Sequence, residues 1–245
     1  MKKFFMFLAV FGFIALAAQY ANAQELSANA LSVQSDAPVY QQIKAKFIEG
    51  GAGFMGTVLL CLIFGLALSI ERIIYLNLAT TNTPKLLAKV EDALKNGGVE
   101  AAKEVCRNTR GPVASIFYQG LSRADEGIEV VEKSVVSYGG VQMSQLENGL
   151  SWIQLFITVA PSLGFLGTVI GMIAAFDAIE AAGDISPNVV AGGMKIALIT
   201  TVGGLIVAII LQFIYNYIVA KIDNIVVSME DASISLVDML VNHKK

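Results

Sequence analysis

Cysteine, histidine, tryptophan and charge are all scarce in this chain. Two cysteines, one histidine and one tryptophan stand among 245 residues, and only 15% of positions carry a charged side chain. Cys61 lies inside an apolar run and Cys106 in a polar stretch, a separation that supports neither a disulfide nor a metal site. The lone histidine, His243, sits in the C-terminal tail, where solvated surface is the ordinary role. There is no Cys/His metal spacing, no nucleophile with a histidine at hand and no glycine-rich loop ending in Lys-Ser or Lys-Thr. These absences predict a protein that is not an enzyme and holds no cofactor. A formal charge of -3 without a basic cluster predicts no nucleic-acid partner.

Apolar side chains are plentiful: 55% of residues, with a mean hydropathy of +0.65. That balance predicts an integral membrane protein. Met1-Lys2-Lys3, an apolar core over Phe4–Ala18 and Ala21-Asn22-Ala23 describe a secretory signal peptide over residues 1–23. An uncleaved signal anchor is the alternative. Residues 24–53 form an exported tail that ends in a short amphipathic helix with Val39, Ile43, Phe47 and Ile48 at helical spacing. Gly50-Gly51-Ala52-Gly53 provides the bend into a first span, residues 54–78. Glu71 and Arg72 sit near the far end of that span as interfacial anchors. Adjacent helix positions point apart, so each is expected to find its own partner.

Residues 79–148 form a polar helical region. Thr83-Pro84 reads as cap and first helical residue. Leu86, Leu87, Val90 and Leu94 make a stripe that Gly97-Gly98 ends. Gly111-Pro112 marks a second break, and Val113, Ile116, Phe117 and Leu121 a second stripe. From Gly127 the helical pattern is read as running on into the second span, and no sustained period-2 alternation argues for a sheet.

Two long apolar runs follow, residues 149–176 and 189–217, each longer than the roughly 20 residues that cross ~30 Å of hydrocarbon. The first carries Gly164, Gly167, Thr168 and Gly171 on one face, the second Ala197, Thr201, Gly204 and Ala208. Small faces let backbones pack closely in lipid, which predicts a tight hairpin joined by the turn at residues 177–188. Thr200 adds a second hydroxyl to the third span. No Asp or Glu lies deep in either run, so any proton crossing here needs a carrier from another chain. A threonine bonding its own backbone is the simpler role for each hydroxyl. Pro161 is expected to kink the second span unless its neighbours compensate. Lys195, near the outer end of the third, is expected to snorkel to the interface or to meet a wet cavity or an acidic partner.

Residues 218–245 continue the third helix. Ile218, Ile222, Ile225, Met229, Ala232, Leu236 and Met239 form a seam that serves either the polar region or other copies of the chain. Eight cationic residues lie in 79–148 (Lys85, Lys89, Lys95, Lys103, Arg107, Arg110, Arg123, Lys133) and none in 177–188. The positive-inside rule then predicts a cytoplasmic middle and C-terminus, with the N-terminus and the 177–188 turn outside.

Ala160-Pro161-Ser162-Leu163-Gly164-Phe165-Leu166-Gly167-Thr168-Val169-Ile170-Gly171 resembles the signature of the MotA/TolQ/ExbB proton-channel family, with the ExbB branch most similar. Gly193-Met194, Ala197–Thr201, Gly204-Leu205, Val207–Ile209 and Tyr215-Asn216 resemble the same family's third span. The resemblance implies an all-α, multi-pass inner-membrane protein assembling as a pentamer in the lipid bilayer. It also implies a pore enclosing an ExbD-like single-span partner that supplies a membrane aspartate, with proton flow energising a TonB-like transducer. Thr168, Thr201 and Thr200 would line the path. Pro161, Gly164, Gly167, Gly171, Ala197, Gly204 and Ala208 would set the helix packing. Glu71, Arg72, Lys195 and Asn216 would serve contacts. Some family members carry a glutamate where this chain has Ile196, which again assigns the proton carrier to the partner. A TolQ-like envelope-maintenance role, a gliding or rotary stator, and a non-conducting scaffold are the alternatives.

Overall fold

The computed structural model describes residues 38–183 and 187–244; the expected signal peptide lies outside them. The chain divides into two compact units, residues 1–45 and 46–245. Of the first, the described part is the opening of helix α1 (Val39–Glu49), on which Tyr40 and Ile43 are exposed.

In the second unit, α1 ends at Glu49. Gly51, at φ +85°, turns the backbone before α2 (Ala52–Ala79) begins. No side chain other than glycine adopts that φ cheaply. Helix α3 (Thr83–Arg107) is capped by Asn82, whose side chain accepts from the Lys85 amide at 3.2 Å, rather than by Thr83. The cap thus stands one residue earlier than the Thr-Pro pair suggests, and Pro84 is still harmless in the first turn. Gly98 (φ 71°, ψ -166°) interrupts α3 where the glycine pair predicts a stop. Helix α4 (Pro112–Ser122) and α5 (Ile128–Glu147) follow, joined by a single 3-10 turn at Ala124–Glu126.

Helix α5 does not flow into the next span. Asn148 is extended (ψ 133°) and Gly149 is left-handed (φ 85°), so α6 (Leu150–Ala182) starts afresh. The Asn-Gly pair overrides an apolar periodicity that continues across it, because Gly149 favours the left-handed region that closes a helix. Helix α6 runs unbroken through Pro161, and α7 (Pro187–Lys244) is continuous for 58 residues, about 87 Å at 1.5 Å per residue. Among the described residues there is no strand.

Among the described residues three helices are long and apolar enough to cross a membrane, by way of α2, α6 and the first half of α7. Their outer faces carry bare apolar side chains such as Phe64, Phe165, Ile173, Leu198 and Phe213. Below them α3, α4, α5 and the second half of α7 make a polar-surfaced bundle around Val90, Phe117, Leu121, Val131 and Leu236. The seam Ile218, Ile222, Ile225, Met229, Ala232 and Leu236 is buried there and serves packing within the chain, but it ends on buried Leu240, while Met239 is half-buried.

Candidate functional site: a threonine-bearing helix hairpin

Helices α6 and α7 pack antiparallel along their small faces. A Cβ placed on Gly204 would stand 2.5 Å from the Ala160 carbonyl oxygen, and one on Gly164 3.0 Å from that of Thr200. Next along the hairpin, a Cβ on Gly171 would meet the Ala197 backbone at 3.2 Å, and one on Gly193 would strike Ala175. Backbone meets backbone along this seam, which only glycine and alanine allow. In a bilayer such contacts supply the dispersion and weak hydrogen bonding that hold helices together, since apolar burial offers little there. The third helix joins from the other side: Phe54 of α2 lies where a Cβ on Gly167 would stand.

The threonines divide into two kinds. Thr200 is buried, with its Oγ1 2.7 Å from the Ala197 carbonyl and 3.4 Å from that of Gly164. Thr201 reaches the same Gly164 carbonyl at 3.2 Å and that of Ala197 at 3.4 Å. Two hydroxyls of α7 therefore converge on one carbonyl of α6, within the close-packed seam of the hairpin. Thr168 stays on its own helix and donates to the Phe165 carbonyl. It is half-buried and makes no bond across the seam. The structure thus joins Thr200, Thr201 and Gly164, and leaves Thr168 beside them. Pro161 lies one residue past the Ala160 carbonyl against which Gly204 packs, and Ala208 is half-buried farther along α7.

Glu71 and Arg72 turn toward each other rather than apart. Arg72 Nε lies 2.6 Å from Glu71 Oε2 and a terminal guanidinium nitrogen 2.9 Å from Oε1, while the guanidinium covers the Tyr75 ring at 4.9 Å. Long side chains bridge a spacing that Cβ directions alone would forbid. Arg72 also lies along Gly149, where a Cβ would come 3.4 Å from Nε. Asn216 accepts from Gln212 one turn earlier, at 3.2 Å.

Lys195 finds an acid that periodicity could not reveal. Its Nζ is 3.1 Å from Glu49 Oε2, which also takes Lys46 at 2.9 Å. The two lysines, Lys46 foremost, hold the Glu49 carboxyl below its ordinary range. Behind this triad a cavity of about 340 Å³ opens between α2, α6 and α7, lined by Gly51, Phe54, Gly167, Gly171, Ile196 and Thr200.

An all-helical membrane protein whose closest packing is a glycine-faced hairpin with hydroxyls at its crossing is the class defined so far. The chain belongs to the MotA/TolQ/ExbB proton channel family, whose model matches residues 108–231. An ExbB homolog from Methanothermobacter thermautotrophicus is 36% identical over 164 residues, 66% of this chain and 58% of that protein. Biopolymer transport protein exbB1 of Vibrio cholerae is 42% identical over 69 residues, 28% of this chain and 30% of that protein. Biopolymer transport protein ExbB of Xanthomonas campestris pv. campestris is 33% identical over 113 residues, 46% of this chain and 43% of that protein. The chain therefore spans 58% and 30% of the lengths of the first two.

Proposed function

We propose that this chain is the pore-forming subunit of an inner-membrane motor driven by the proton-motive force, serving biopolymer transport in the manner named for its relatives. Copies of the chain, five in the family's arrangement, surround the single span of an ExbD-like partner. Helices α6 and α7 face that span, the polar bundle lies in the cytoplasm, and the α6–α7 turn faces outward. The partner contributes a membrane aspartate, and its proton-coupled motion energises a TonB-like transducer that opens outer-membrane receptors.

The observation that carries this reading is a hairpin with hydroxyls and no acid. Thr200 and Thr201 are the hydroxyls at its crossing, Thr168 stands beside them on α6, and no Asp or Glu lies within residues 150–176 or 189–217. A hydroxyl both donates and accepts, so it can pass a proton or hold a water beside a titrating group, but it cannot store the charge. The storing group therefore comes from the partner. The Thr168→Val, Thr201→Val double variant is expected to abolish energy-dependent uptake across the outer membrane while the detergent-extracted complex keeps its mass. Normal uptake by that variant overturns the assignment.

A further inference from the structure

Two charged surfaces of the polar bundle have no charged partner among the described residues. One is a groove on α4 and α5, about 670 Å³, lined by Gln119, Arg123, Glu129, Lys133, Ser137 and Tyr138. A smaller polar hollow containing Arg107 adjoins it and shares Gln119 and Tyr138. Among the described residues, neither Arg123, Lys133, Arg107 nor Glu129 makes an ion pair, which leaves the groove and its hollow with a net excess of cations. Elsewhere on the bundle Lys95 and Lys103 are satisfied by Glu91 and Glu100 on their own helix.

The other surface is the outward face of α7. Asp223, Val227, Glu230, Asp231, Ile234 and Asp238 are all exposed and lie on the side opposite the buried Ile222–Leu240 seam. Its four carboxylates also lack ion pairs among the described residues. The two surfaces stand at one depth. A Cβ on Gly120 of α4 would touch both Val135 of α5 and Leu236 of α7, which fixes the level of the three helices. Because α5 and α7 run in opposite directions, Ser137 then lies level with Ile234. Lys133 and Arg123 fall beside the stretch that ends at Asp238.

We infer that the acidic face of α7 in one copy docks into the Arg123–Lys133 groove of the next copy. The inference rests on the homo-oligomeric part of the proposed function. A rotation axis along the membrane normal preserves depth, so surfaces at equal depth are brought together around a ring. The contact is heterologous, joining two different patches, and repeats until the ring closes. Exposed charge pairs steer and register an interface more than they stabilise it, so the contact is tested by geometry.

The test uses the full chain in its native membranes with a short bismaleimide. A chain carrying both Ser137→Cys and Ile234→Cys is expected to give a ladder of cross-linked oligomers. Co-production of two differently tagged single variants should give mixed dimers and nothing larger, and each single variant alone should give none. Adding Arg123→Glu and Lys133→Glu to the double-cysteine chain should cut the cross-linked fraction several-fold. Adding Glu230→Lys, Asp231→Lys and Asp238→Lys as well should restore it. A complex of full mass that yields no ladder overturns the docking and leaves the oligomer standing. A ladder unaffected by charge reversal overturns the charge pairing. A single-copy mass overturns both readings.

Discussion

Gly204 has no room for a side chain, and the obstruction is backbone rather than a flexible tip. Gly204→Leu must push α6 and α7 apart at the point where Thr200 and Thr201 meet the Gly164 carbonyl. Overpacking of this kind costs about 1–3 kcal/mol, so a lowered thermal midpoint in detergent is expected. Gly56→Ala is the control, since no atom of the described residues lies within 4 Å of a Cβ there. It should match or slightly exceed the unaltered chain, because alanine favours a helix by up to about 1 kcal/mol. Cys106 makes a second residue-scale case. Burial pushes its thiol up to about 12, so almost no thiolate exists at neutral pH. Maleimide should label it in the unfolded chain and spare it in the folded one.

Glu49 adds a pH dependence. Its carboxyl is lowered in the folded chain by Lys46 and Lys195. A depressed carboxyl contributes stability above its unfolded value and loses that contribution as pH falls through the folded one. Thermal midpoints of Glu49→Gln and the unaltered chain should therefore differ slightly at pH 7 and converge in acid. The pair is exposed, so high salt should shrink the difference as well.

At the level of helices, what the sequence showed and what it hid follow from range. The small faces of α6 and α7 were legible because residues 164, 167, 171 and 197, 201, 204 recur at helical spacing, and a helix presents such positions together. The Gly98 break and the buried seam from Ile218 were legible for the same local reason. The Glu49–Lys195 pair was not, because nothing along the chain links α1 to α7. Nor was the convergence of Thr200 and Thr201 on one carbonyl, which depends on the rotation of one helix against another. The break at Asn148-Gly149 was legible in principle, yet the apolar spacing on both sides masked it. Gly149→Ala tests its weight. A left-handed φ costs a residue with a Cβ about 1–2 kcal/mol, while the added methyl would meet Arg72 only at ordinary contact distance, 3.4 Å from Nε. A lower thermal midpoint in detergent is expected, with the Glu71–Arg72 pair kept.

For the molecule as a whole, α7 is a single helix that carries the small face, the Glu49 contact and the buried seam of the polar bundle. A helix advances about 100° per residue. The azimuth of Thr201 toward α6 and that of Ile222 toward the bundle are consequently locked in phase. One residue inserted near Tyr217 would turn every later side chain by that angle and aim the seam at water, even though no existing contact was mutated. Length in this segment is therefore as constrained as residue identity, and the membrane half and the polar half cannot drift independently in evolution. Changes there are admissible only when they restore the phase, as whole-heptad steps nearly do.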